Sequence, residues 1–484
     1  MLLASLLAAA VATAAATPAT APVDFSPCEL RGSGGQGRVD ARCATIDVPE
    51  DPEDPDGASV NLFVARIPSL APEAAADAVT IINGGPGASS AALYVDFEPA
   101  FAGLRRERDI ILVDQRGTGR SSALVCPNLE AATVDFDEDL VRAATRACLD
   151  GLHHDPRQFT TSVAVTDLER LRVRLGYRAW NLYGVSYGTR VAQHYLRRYP
   201  QAVRSVVLDG VVPPGLTLGP DVALNAQAAL DDILRRCREA AYCAGAFPDP
   251  GAQLQRLGAR LREDPVELEV PDPVTGRQRT LTLHYAHLAM TLRLLSYAPE
   301  TAALIPLIID EAEARRNYLP LAAQALRIER DLEQAISFGM HNSVVCTEDV
   351  PFYAGLETLW PQLERTYLGG DQVRALQTIC AIWPRGVRDP DFDAPLTAAS
   401  PVLLLSGEHD PITPPEYAER AARSLPASLQ VVAPGQGHGV IARGCVPNLV
   451  ADFIDSGSLE NLDSACVERL AADPFFVDLL GPPP

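Results

Sequence analysis

Two kinds of apolar pattern take turns along the chain, and each predicts a different element. Alternating or unbroken short apolar runs ending in turn residues read as strands: VNLFVARI, AVTIINGG, RDIILVD, AWNLYGVS and VRSVVLDG. Between and after them come stretches of helical spacing, VAVTDLERLRVRLG stopping at Gly176 and YGTRVAQHYLRRYP stopping at Pro200. Unbroken apolar strands alternating with helices predict a mostly parallel sheet, buried on both faces. The same rhythm returns late in the chain with SPVLLLSGEHDPITPPEYAERAARSL and LQVVAPGQGHG.

Between these two blocks the texture changes. Helical patterns dominate residues 216–393 (ALNAQAALDDILRRCREA, HLAMTLRLLS, ALIPLIIDEAEARR, LPLAAQALRIERDLEQAISF), with one hairpin pattern, VELEVPDPVTGRQRTLTL, among them. The expected organisation is therefore a sheet domain in two parts, residues 24–215 and 394–484, interrupted by a helical insertion over 216–393. No internal repeat stands out.

Composition narrows the function classes. With 47% hydrophobic and 21% charged residues, the chain has the balance of a globular protein rather than a disordered one. The net charge of −21 argues against nucleic acid, whose phosphates it would repel. Residues 1–16 (MLLASLLAAAVATAAA) read as a cleavable leader, an apolar core followed by small residues, although the usual basic residues before the core are missing. The leader predicts export to the periplasm or medium without a stable membrane anchor. Ten cysteines, at 28, 43, 126, 148, 237, 243, 346, 380, 445 and 466, fit an oxidising compartment. Pairing each with its sequence neighbour would close five short loops, although spacing alone does not determine connectivity. Neither Cys-x-x-Cys spacing nor a Cys/His cluster points to a metal. His284 and His287, three apart, lack a third ligand, so neither metal nor organic cofactor is expected.

The chemistry gathers around GVSYG, residues 184–188. A serine between glycines packs poorly, but on a strand–turn–helix junction it lifts its hydroxyl above the sheet edge beside a helix N-terminus. Ser186 is the candidate nucleophile. A serine hydroxyl needs a base, and the base needs an orienting acid, in the chain order Ser, acid, His. Asp410 follows the strand PVLLLSG and His438 follows LQVV, both in loops at strand ends. The competing acid is Asp209, which also ends a strand; the competing base is His341. An oxyanion formed on the substrate calls for two backbone N–H donors, assigned to Tyr187 and to Gly85 in the NGGPG loop.

NGGPG, DQRGTGRS, GVSYG, GEHDPITP and GHG, in this order, resemble the prolyl aminopeptidase and secreted tripeptidyl aminopeptidase branch of the α/β-hydrolases. Asn83 stands where that family has histidine. The motifs run from Asn83 to Gly439, most of the chain, and the resemblance is loose only in the insertion. It implies an α/β-hydrolase fold, with helices on both faces of the sheet and a mainly helical cap after the sixth strand. The C-terminal region is implied to be tripeptidyl aminopeptidase-like. It further implies that cap carboxylates bind the substrate's free α-ammonium; Glu348 and Asp349, beside Cys346, are the candidates. The expected function is an exported serine hydrolase acting on a peptide or small acyl substrate, an aminopeptidase in first place. A carboxylesterase with the same triad is the alternative, and a noncatalytic binding protein on this scaffold is the third reading.

Overall fold

The computed structural model describes residues 23–483, except 36, 128, 130–135, 273 and 274. The expected leader lies outside them. Nine strands form one sheet: β1 (Ser26–Arg31), β2 (Arg38–Pro49), β3 (Ser59–Ile67), β4 (Ala78–Ile82), β5 (Ile110–Val113), β6 (Trp180–Val185), β7 (Val203–Asp209), β10 (Val402–Gly407) and β11 (Ser428–Ala433). Their order across the sheet is β1-β2-β3-β5-β4-β6-β7-β10-β11. Pairings from β5 to β11 are parallel, whereas β1, β2 and β3 run antiparallel to their neighbours.

Why the central strands are apolar throughout follows from the pleat. Successive side chains point to opposite faces, and both faces are covered. Val206, Leu208 and Leu404 pack on one side with Tyr195 and Leu196 of the helix Tyr187–Arg198. Val207, Leu403 and Leu405 pack on the other with Phe453 and Ile454 of the helix Val446–Ser456.

Seven strands, not six, precede the insertion. The five apolar patterns of the sequence are β3 to β7; β1 and β2 escape them because they lie at the open edge, where exposed and buried positions mix and no unbroken apolar run marks them. The insertion is mainly helical and carries one antiparallel hairpin, β8 (Val266–Pro271) with β9 (Gln278–Leu283). Leu230, Ile233, Leu257, Leu292 and Ile309 give it a core of its own. Its later helix, Phe338–Glu348, is different: Met340 and Val344 pack into the core of the main sheet. Five disulfides join sequence neighbours, Cys28–Cys43, Cys126–Cys148, Cys237–Cys243, Cys346–Cys380 and Cys445–Cys466.

Candidate active site

After β4 the chain turns to β5 on one side, and from β5 it crosses to β6 on the other. The loops leaving β4 and β6 therefore separate at this switch of direction, and such a crevice is where parallel sheets hold ligands. The β4 loop is NGGPG, and the β6 turn carries Ser186.

Ser186 has φ 55° and ψ −128°, a conformation that costs a non-glycine residue energy and must be held by its surroundings. Its N–H donates to the Asp209 carbonyl at 2.9 Å, and its own carbonyl accepts from the Thr189 hydroxyl at 2.6 Å. A side chain at Gly188 would collide with the Ile82 carbonyl, so only glycine lets the helix start so close to β4. A side chain at Gly84 would lie 2.7 Å from the Ser186 Cβ. The NGGPG loop thus passes directly beside the serine.

That loop is braced from within. The Asn83 side chain accepts from the Gly84 N–H at 2.7 Å and donates to the Ser89 carbonyl at 2.9 Å. The DQRGTGRS motif braces it from outside. Asp114 accepts from the Ser89 hydroxyl and from the Ala91 and Arg120 N–H groups. Gln115 donates to the Tyr187 hydroxyl at 3.3 Å, and Arg116 makes a buried two-pronged pair with Asp167.

His438 and Asp410 meet with Nδ1 and Oδ2 2.8 Å apart. Asp410 also accepts from the Ile412 and Thr413 N–H groups and from the Thr413 hydroxyl. Burial would raise its carboxyl, but His438 and these donors hold it below the usual range. For His438 burial would lower the imidazole, and the Asp410 carboxylate outweighs that and raises it.

Asp209, the competing acid, performs a different task. Its carboxylate accepts from the Val440 and Ile441 N–H groups and from the Tyr183 hydroxyl, while its carbonyl holds Ser186. One residue therefore ties the serine turn to the loop just past His438. Among the described residues no carboxylate bonds the ring of His341, the competing base; its Nδ1 lies 3.4 Å from the Pro86 carbonyl, and burial lowers its imidazole. His154, His194 and His409 face Glu50, Asp389 and Asp232 in turn.

Glu348 and Asp349 do not present a carboxylate to a substrate. Both side chains have 0% exposure. Asp349 accepts two N–H groups of Arg190 and the Leu218 N–H, and Glu348 accepts the N–H and hydroxyl of Thr161. Burial pushes the Glu348 carboxyl up to about 7 against the opposing pull of Arg190. Thr161 in turn bonds the Tyr187 hydroxyl at 2.6 Å, so the acidic pair supports the start of the nucleophile helix instead. Adjacent acidic residues beside a cysteine read as a polar turn; their Arg190 partner lies far away in sequence.

Sequence reasoning also passed over Thr413 and Tyr297. Thr413, three residues past Asp410, carried a signal, since a hydroxyl at that spacing closes a turn on the carboxylate. Tyr297 carried none. Its carbonyl accepts the His438 N–H at 2.7 Å, and its ring stands edge-on to the imidazole with centroids 5.2 Å apart.

Residues 77–443 match the model of a family described as alpha/beta hydrolase fold. The chain belongs to the alpha/beta hydrolase fold family. Within it, this serine hydrolase is similar over nearly its whole length to proteins with two kinds of name. Serine protease Hip1 of Mycobacterium tuberculosis is 24% identical, with 92% of this chain and 91% of the relative covered. Tripeptidyl aminopeptidase of Streptomyces lividans is 24% identical, over 90% of this chain and 85% of the relative. Carboxylesterase B of Mycobacterium tuberculosis is 27% identical, over 88% of this chain and 86% of the relative.

Proposed function

We propose that this α/β-hydrolase is an exported aminopeptidase that releases short peptides or single residues from free N-termini through an acyl-enzyme. The observation that carries the catalytic part is the Asp410–His438 pair, tied through Asp209 to the strained turn that presents Ser186. With Nδ1 engaged by Asp410, Nε2 of His438 is the base. It takes the Ser186 proton as Oγ bonds to the substrate carbonyl carbon. The oxyanion is received by the N–H groups of Tyr187 and Gly85. His438 then gives the proton to the departing amine as the C–N bond breaks, and water repeats the sequence to free the acyl group.

The exopeptidase form draws support from how the insertion meets the site. Ser337 donates to the Gly87 carbonyl, Ala88 bridges to Ile336, and Tyr297 lies on His438. An insertion closing on the site from two sides admits a chain end more readily than the middle of a long polypeptide. One relative is named a tripeptidyl aminopeptidase and another a serine protease, which supports a peptidase, and five disulfides support export. The carboxylesterase relative keeps ester hydrolysis as the second reading.

The test is a matched pair of chromogenic anilides, free Ala-Pro-Ala and its N-acetylated twin, with a simple ester beside them. Cleavage of the free form alone is expected. Equal cleavage of both rules out selection for a free amine, and cleavage of the ester alone makes the protein an esterase. In the same assay Ser186→Ala abolishes both turnover and labelling by a fluorophosphonate; a variant that still labels removes Ser186 from the mechanism.

A further inference from the structure

Arg293 lies in the last turn of the insertion helix Tyr285–Leu295, one turn before the Tyr297 ring that covers His438. Its charge is felt by four groups around the site: the His438 and His341 imidazoles and the Tyr297 and Tyr367 phenols. The chain has 62 acidic residues against 41 basic ones, and most of its buried or half-buried arginines find a carboxylate. Arg293 does not. Among the described residues no carboxylate pairs with it; it hydrogen-bonds the Tyr297 phenol, but its Nε is buried without a hydrogen-bond partner.

The Tyr367 hydroxyl shares this condition: it too is buried with no hydrogen-bond partner. Its ring position is held by the backbone, the Tyr367 N–H donating to Gln227 and its carbonyl accepting from the Tyr285 hydroxyl. Buried donors left unpaired weaken a fold, so two of them, the phenol within reach of the guanidinium's charge, call for an explanation. A carboxylate supplies one. It is acceptor-only, and its two oxygens match a guanidinium N–H and a phenol O–H.

We propose that Arg293 and Tyr367 form a subsite for a substrate carboxylate beside Ser186 and His438, so that the hydrolase selects substrates carrying a negative charge near the bond it cleaves. This rests on the serine-hydrolase reading of that cluster, but not on the aminopeptidase reading. The carboxylate belongs either to the acyl part of the substrate or to its leaving part.

Two ester pairs separate these sources without requiring peptide cleavage. For the acyl part, 4-nitrophenyl hemiglutarate is compared with 4-nitrophenyl valerate. For the leaving part, the butyryl ester of 4-hydroxybenzoate is compared with that of 4-hydroxybenzamide. The wild type is expected to prefer the charged member of one pair. Arg293→Gln raises KM for that member about 10- to 100-fold, the scale of a lost charge-assisted hydrogen bond. Measured on the pH plateau, where a shift of the His438 imidazole does not register, kcat/KM falls far more for the charged ester than for its neutral twin. Tyr367→Phe raises the same KM by less, and Arg293→Lys restores part of the preference. A wild type that labels with fluorophosphonate and shows no charge preference in either pair overturns the subsite. So does an Arg293→Gln variant that slows charged and neutral esters alike. If Arg293→Gln does not fold, the wild-type preference and Tyr367→Phe decide. A wild type that does not label at all overturns the serine-hydrolase reading beneath the proposal.

Discussion

His438 is where a single residue's environment becomes measurable. Protonated, it cannot accept the Ser186 proton, so activity is present above its pKa and lost as pH falls through it. Because Asp410 raises the imidazole against the effect of burial, the acidic limb of kcat/KM is expected to fall above the ordinary histidine value of about 6.5. A pH–rate profile on a neutral ester checks this; a midpoint below that value would mean that burial dominates and that Asp410 does not stabilise the imidazolium. Ser186, Asp410 and His438 were legible as candidates because each sits in a short motif at a strand end. Glu348 and Asp349 were misread because their partners, Thr161 and Arg190, are more than 150 residues away.

At the scale of elements, the site depends on how the ends of β6, β7 and β11 are joined. Asp209 ends β7 and bonds to the turn after β6 through its carbonyl and to the loop after β11 through its carboxylate. Asp209→Ala leaves two buried N–H groups and the Tyr183 hydroxyl without their acceptor. The expected cost is roughly 3 kcal/mol or more of stability. It also frees the loop carrying His438 to move, so kcat should fall about 100-fold while KM changes little. Denaturant unfolding and steady-state kinetics read the two effects; unchanged kcat in a folded variant would show that the loop is held without Asp209. The parallel strands were readable because burial on both faces demands unbroken apolar runs. β1 and β2 were not, since an edge pair needs no such run and its Cys28–Cys43 bridge signals only proximity.

At the scale of the whole molecule, the C-terminal segment binds the insertion to the sheet domain. Ala471 accepts from Gln436, just before His438, and a few residues later Phe475 enters the core of the insertion. Phe475 donates its N–H to the Tyr242 hydroxyl and Phe476 donates to the Ala303 carbonyl. Phe475→Ala is expected to cost about 3 kcal/mol. Amide exchange should accelerate in the insertion helices Pro220–Glu239 and Tyr285–Leu295 and stay slow in β4, β6 and β7. Acceleration in those strands as well would mean the two parts open as one unit. The sequence by itself determined what local periodicity and short motifs encode: the alternation of strands and helices, the strand–turn–helix junction at Ser186, the places of the candidate acid and base in loops at strand ends, and a helical insertion. Only the tertiary structure decided which charges pair. That choice joined Arg190 to Asp349, tied the Asp209 carboxylate to the loop past His438, and left the Arg293 Nε and the Tyr367 hydroxyl buried without hydrogen-bond partners. The physical reason is that a carboxylate's role is set by which donors reach it, and in this fold those donors arrive from distant parts of the chain.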